Sequence, residues 1–194
     1  MESSVSFFSR AFLGIVVVTT SSAALFAQAP AAKVGLDGYC PVCIIEMKQW
    51  EKGDARFQTD YDGTTYYFPG AKQKAMFDAN PEKYTPAAGG DCVVCQVEMG
   101  ARKPGKVEFA ALQADRLFLF PSQKEKDIFL ANPDKYAQAD LAYDGNCAVC
   151  KIDSRHDNPG REAFATYYQG KRYLFPSEPL RQAFLANPAK YAER

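Results

Sequence analysis

The spacing of apolar residues predicts three β-hairpins. The runs FQTDYDGTTYYF (57–68), FAALQADRLFLF (109–120) and FATYYQGKRYLF (164–175) each place a short polar turn between two strand-like stretches. An Asp-Gly turn between such stretches, as at Asp62 and Gly63, is a strong short-range hairpin signal. A proline follows each second strand and ends it, because proline has no N–H to donate to a strand ladder.

A helical pattern follows each predicted hairpin. The segments AKQKAMFDA (71–79), QKEKDIFLA (123–131) and EPLRQAFLA (178–186) each end at Asn-Pro, where the residue before proline leaves the helical region. Ser122 and Ser177 are candidate helix N-caps, and Ser122 with Glu125 fits a capping box. We expect one phenylalanine of each segment to pack inward and one tyrosine to close each module. These residues are Phe77, Phe129 and Phe184, with Tyr84, Tyr136 and Tyr191.

These patterns belong to one unit that is repeated three times, at residues 38–84, 90–136 and 145–191. In every copy the first cysteine precedes the Phe of a Phe-Pro pair by 28 residues, without insertion or deletion. The sequence therefore predicts an α+β protein of three tandem small modules, each a β-hairpin followed by a short helix, packed as one compact body. We expect the linkers TPAAG (85–89) and AQADLAYD (137–144) to lie on the surface.

The N-terminus predicts export. Residues 1–31 resemble a signal peptide, with Arg10 before the apolar run AFLGIVVVTTSSAALFA and small residues around Ala29. We expect cleavage within residues 27–32, no stable membrane insertion afterwards, and a periplasmic or extracellular location. The 23 basic residues balance the 23 acidic ones and form no basic cluster, which argues against nucleic acid as a partner.

Each module begins with a Cys-x-x-Cys pair, and these pairs are the candidate site. The pairs are Cys40 with Cys43, Cys92 with Cys95, and Cys147 with Cys150. Outside the cytoplasm thiols tend to be oxidised, so a disulfide within each pair is the favoured interpretation. Such a bridge would also stabilise a module of 47 residues, which is small for a hydrophobic core alone.

Metal binding is the second interpretation of the pairs. A Cys-x-x-Cys pair is half of a structural zinc site, whereas two thiolates with a thioether could hold copper(I). The auxiliary ligand candidates are an aligned acid in every module and a methionine in two. They are Glu46, Glu98 and Asp153, with Met47 and Met99. Alternatively, two modules could bring their pairs together into a four-cysteine site.

Redox catalysis is a third interpretation. It predicts an accessible pair beside a cation, and Lys151, Arg155 and His156 make the third module its best candidate.

Taken together, several elements resemble the YHS domain. They are Gly-Tyr-x-Pro-Val at 38–42, Tyr-Asp-Gly-x-x-Tyr-x-Phe at 61–68, and Phe-x-Ala-Asn-Pro-x-Lys-Tyr at 77–84, which recurs at 129–136 and 184–191. The resemblance implies a small α+β module that occurs in tandem and in metal-handling proteins. The further cysteines of its metal-binding relatives fall here on Pro69 and Gln73, Pro121 and Glu125, and Pro176 and Leu180, so that family's metal site cannot be carried over.

The sequence thus predicts an exported, non-enzymatic binding or accessory protein, with zinc or copper(I) as its most concrete ligand and an unidentified protein or metal as its partner. The alternative is a disulfide-stapled interaction scaffold without metal, and a thiol–disulfide oxidoreductase is a third hypothesis.

Overall fold

The computed structural model describes Met1 and residues 33–193, and residues 33–193 belong to one compact unit. The predicted signal peptide and its cleavage region lie outside the described residues, except for Met1.

Each module repeats one order of elements: a short 3-10 turn, a helix, a hairpin and two further helices. The opening helices are α1 (Pro41–Met47), α4 (Val93–Met99) and α7 (Ala148–Ser154). The hairpins are β2–β3 (Asp54–Tyr61, Thr64–Phe68), β4–β5 (Lys106–Gln113, Arg116–Phe120) and β6–β7 (Arg161–Tyr168, Lys171–Phe175). The following helices are α2 (Ala71–Ala79), α5 (Gln123–Ala131) and α8 (Glu178–Ala186). Short helices close the modules: α3 (Pro81–Tyr84), α6 (Pro133–Tyr136) and α9 (Pro188–Tyr191).

The predicted fold class, hairpins and helices are confirmed. Each hairpin is antiparallel with one register shift, and β1 (Lys33–Val34) adds to the first hairpin in parallel with β3. Ser122 caps α5 by accepting the N–H of Lys124 at 3.2 Å, and its hydroxyl also contacts Glu125. Ser177 makes no such bond. Pro179 occupies the position in α8 that Lys124 has in α5, and a proline has no N–H to donate to a capping side chain.

The structure explains why two positions of the repeat are glycine in all three modules. Gly38, Gly90 and Gly145 precede the cysteine pairs with φ of +80°, +89° and +81°, a left-handed conformation that favours glycine. At Gly105 a Cβ would lie 2.3 Å from the Leu119 Cβ, and the aligned glycines face the same obstacle. The chain after each opening helix therefore returns directly against the second strand of the hairpin.

A phenylalanine lies at the centre of each module core, as predicted. Phe77, Phe129 and Phe184 are completely buried, and each lies beneath aromatic residues of its own hairpin. The closing tyrosines are also buried in these cores. Each module consequently has its own hydrophobic core.

Each module contacts both of the others. Leu117 and Leu119 of the second module pack into the core of the first. The first and third modules meet where Tyr61 Oη accepts the backbone N–H of Tyr167 at 3.0 Å. The second and third meet where Arg116 Nη2 donates to Tyr167 Oη at 3.0 Å. The three modules therefore surround a common centre instead of lying in a row.

The linkers depart from the prediction that they lie on the surface. In the first linker, residues 85–88 are buried, and in the second, Asp140 and Ala142 are buried. Short linkers between modules that touch each other fill the space at the interfaces, so their side chains belong to the tertiary packing.

Candidate functional site

Each cysteine pair lies at the start of an opening helix, which the sequence analysis did not predict. The first cysteine is the N-cap residue, and its Sγ accepts the backbone N–H of the second cysteine. The N–Sγ distances are 3.3 Å for Cys43 to Cys40, 3.1 Å for Cys95 to Cys92 and 3.1 Å for Cys150 to Cys147. This bond satisfies one of the free N–H groups of the first helical turn, so the thiol takes the place of the usual serine or aspartate cap. Both thiols of a pair consequently lie at one end of one helical turn, and all six cysteines are free thiols in the structure.

The thiols are mostly removed from solvent. Five of the six cysteines are wholly buried, whereas Cys150 is half-buried. Burial raises the pKa of Cys92 and of Cys147 to about 12, and burial also raises the pKa of Cys40 and Cys43. Because the thiolate is the nucleophile and the metal ligand, these four thiols are poorly reactive as they stand.

The residue eight positions after the second cysteine distinguishes the first and third modules. In the first module Cys43 Sγ donates to Glu51 Oε2 at 3.5 Å. In the third module Asn158 Nδ2 donates to Cys150 Sγ at 3.9 Å. The second cysteine therefore contacts an acceptor in one module and a donor in another.

The auxiliary ligand candidates lie on the opening helices, but their carboxylates bind other groups. Tyr84 Oη donates to Glu46 at 2.8 Å, Tyr136 Oη to Glu98 at 2.7 Å, and Tyr191 Oη to Asp153 at 2.9 Å. A lysine that precedes each tyrosine donates to the same carboxylate at 2.6 Å in all three modules. These contacts tie each opening helix to the closing helix of its module. Met47 and Met99 are 44% and 53% exposed.

The arrangement does not supply a complete metal site within residues 33–193. No three His, Cys, Asp or Glu side chains are grouped there in a way that could hold a metal ion. The three cysteine pairs belong to three separate cores, so the structure does not bring two pairs together into a four-cysteine site. His156 is exposed and lies outside these cores.

An open cavity of about 410 Å³, with mainly charged and amide residues in its lining, lies where the three modules meet. Residues of all three modules line it, including Glu82, Arg116 and Glu162, together with Gln138 of the second linker. Arg172 also lines it, with a side chain that is only 5% exposed and an Nη1 that donates to Glu162 at 2.6 Å.

Sequence reasoning missed the charged network beside this cavity. Its centre is Asp140, whose Oδ2 accepts from Arg116 Nη2 at 2.6 Å and from Tyr167 Oη at 3.0 Å. The aligned repeats did contain one indication of a buried ion pair. Arg172 occupies a strand position at which the other modules have Thr65 and Leu117, both buried, so an inward-facing arginine needed a buried partner.

None of the helices in residues 33–193 has the length and apolarity that crossing a membrane requires. No family model, curated protein or solved structure matches the chain.

Proposed function

We propose that this chain is an exported, non-enzymatic binding or accessory protein of three YHS-like modules, in which each Cys-x-x-Cys pair forms a local disulfide. The observation that carries this proposal is the repeated placement of the pairs. Each pair lies at the N-terminus of its module's opening helix, with the first Sγ bonded to the backbone N–H of the second cysteine, and no third His, Cys, Asp or Glu ligand is grouped with it in residues 33–193. Paired thiols that are buried in this way suit a structural bridge better than an open metal site.

A local disulfide would stabilise each short opening helix. A bridge that closes so short a loop contributes about 2 kcal/mol in the chain-entropy model. The opening helices have seven residues each, too few to be stable in isolation, so they depend on tertiary anchoring. A disulfide joins the N-cap to the first turn of such a helix and holds it against the core of a small module.

The cavity between the modules supports binding as the activity. Its volume of about 410 Å³ lies in the range of small-molecule sites, ~300 to 1,000 Å³. Because all three modules line it, it exists only when they are assembled. Bridges that keep each module rigid would keep this cavity in shape.

A thiophilic metal, zinc or copper(I), is the second candidate ligand. The observation that favours it is Glu51, whose Oε2 lies 3.5 Å from Cys43 Sγ and could offer an oxygen donor to the first pair. Because Cys40, Cys43 and Glu51 are not grouped in residues 33–193 so as to hold a metal, these side chains would have to move to bind one, and even three ligands are fewer than a structural zinc requires.

Thiol counting tests the proposal. The full chain is purified from an oxidising compartment, denatured, and alkylated before its intact mass is measured. Three disulfides give a mass six hydrogens light and no alkylated thiol, since the chain has six cysteines. A matched double variant, Cys92→Ser with Cys95→Ser, should be only four hydrogens light if the pairing is local. Six reactive thiols, with metal mass retained under native conditions, would overturn the disulfide proposal in favour of metal binding.

A further inference from the structure

We infer that the Cys147–Cys150 pair is a thiol–disulfide exchange site for a disulfide-bearing partner, whereas the two other pairs are closed to exchange. The inference goes beyond the proposed function, which treats the three cysteine pairs alike.

Access is the first difference between the pairs. Exchange requires a thiolate to reach a sulfur of the partner's disulfide, so an attacking cysteine must meet solvent. Cys43 and Cys95 have no exposed surface, whereas the aligned Cys150 is half-buried. The three modules share one backbone arrangement at this point, so the difference comes from the side chains around the sulfur.

The neighbour of the sulfur is the second difference. Glu51 accepts the hydrogen of Cys43, so ionising that thiol would place two negative charges side by side. Asn158 instead directs its Nδ2 donor at Cys150 Sγ, at 3.9 Å. The third pair is therefore the reachable one, and its exposed sulfur faces an amide donor where Cys43 faces a carboxylate.

The reaction balances with the partner's disulfide as the oxidant. Cys150 thiolate attacks one sulfur of that disulfide, forming a mixed disulfide and expelling the other sulfur as a thiolate that takes up a proton. Cys147 then loses its proton and attacks Cys150 Sγ, which releases the partner's remaining thiol. The pair gives up two electrons and two protons, and the partner's disulfide becomes two thiols. A dithiol partner drives the same steps in reverse.

The buried first cysteine makes the second step slow. Burial raises the pKa of Cys147 to about 12, so its thiolate is rarely present to resolve the mixed disulfide. We therefore expect an adduct on Cys150 to accumulate before the intramolecular bridge forms.

The test is a competition within one molecule. The full chain is reduced, freed of reductant, and exposed under native conditions to a limiting amount of oxidised glutathione. Samples are quenched with acid, alkylated and mapped by peptide mass. We expect glutathione first on Cys150, at a rate about tenfold or more above that of any other cysteine, because the buried thiols react only after local opening. Equal rates at the three pairs, or faster reaction at Cys43 or Cys95, would overturn the inference.

A matched variant separates the surroundings of the sulfur from general instability. Asn158→Glu gives Cys150 the neighbour that Cys43 has, and we expect it to slow adduct formation severalfold while urea unfolding stays unchanged. Ser154→Glu, which adds the same charge at the exposed C-terminal end of α7, is the control and should leave the site preference intact. An unchanged rate of adduct formation in Asn158→Glu would contradict the inference that the residue beside Cys150 Sγ affects its reaction.

The outcome is distinct from that of the thiol count. If the purified chain carries three disulfides and dithiothreitol opens all three together, the exchange site is disproved and the structural bridges remain. If the purified chain carries none, yet Cys150 alone reacts with oxidised glutathione, the bridges are disproved and the exchange site remains.

Discussion

Replacing Asp140 with asparagine should destabilise the assembled protein strongly. The Asp140 side chain is fully buried, and its Oδ2 accepts from Arg116, from Tyr167 and from the backbone N–H of Ala88 at 3.2 Å. Its Oδ1 lies 3.7 Å from Nε of Arg172, and neither of these two atoms has a hydrogen-bond partner. One carboxylate thus joins the second linker to the second and third modules.

The magnitude follows from the burial of the arginines. Removing one partner of a buried ion pair costs about 3–5 kcal/mol, because the other charge is left without compensation. In the variant Arg172 would keep its ion pair with Glu162, and the asparagine oxygen could still accept one hydrogen bond. We therefore expect a loss in the free energy of unfolding at the lower end of this range, about 3 kcal/mol. For a protein of this size a loss of 1 kcal/mol lowers the melting temperature by about 2–4 °C, so the expected fall is about 6–12 °C.

Urea unfolding, followed by circular dichroism and by tyrosine fluorescence, measures this change. The matched control is Asp115→Asn, which removes another inter-module carboxylate. Asp115 is 78% exposed and pairs with Lys48 at 3.2 Å, so its loss should cost less than about 1 kcal/mol. Equal midpoints for the two variants would refute the view that the buried carboxylate holds the modules together.

Two further predictions concern the module interior and its closing contact. Phe129→Ala should lower the free energy of unfolding in urea by about 3–5 kcal/mol, because the ring is wholly buried and its centroid lies 4.6 Å from that of Phe118. Leu130→Ala, at a half-exposed position, should change this free energy by less than about 1 kcal/mol. Similar losses in the two variants would contradict the predicted core. Hydrogen bonds from Lys135 and Tyr136 lower the pKa of Glu98 below its ordinary 4.5. The ionised carboxylate therefore stabilises the folded protein above pH 4.5, and this contribution is lost as the pH falls through the lowered pKa. The melting temperature should fall less steeply below about pH 4.5 in Glu98→Gln than in the unchanged chain, and parallel curves would contradict the assignment.

Local chemistry in the sequence was sufficient for the elements of each module. The Asp-Gly turn, the proline after each second strand and the Asn-Pro helix ends act through the backbone of their own neighbourhood, so hairpins and helices were predicted at their observed places. The three-fold repeat then implied three similar cores, because aligned residues such as Phe77 and Phe129 meet the same surroundings. The seven-residue opening helices escaped prediction, since tertiary packing stabilises so short a helix more than its own propensity does.

Only the tertiary structure decided what lies between the modules. Asp140 belongs to a linker whose sequence predicts a surface position. Its burial depends on Arg116 and Tyr167, which are distant in sequence and come from different modules. The same holds for the cysteines. Their spacing in sequence is identical in all three modules, yet Cys150 is partly open and Cys43 is closed, because access to a sulfur depends on the side chains that fold over it. Repetition in the sequence therefore determined the shape of each module, whereas non-local contacts made the three copies chemically different.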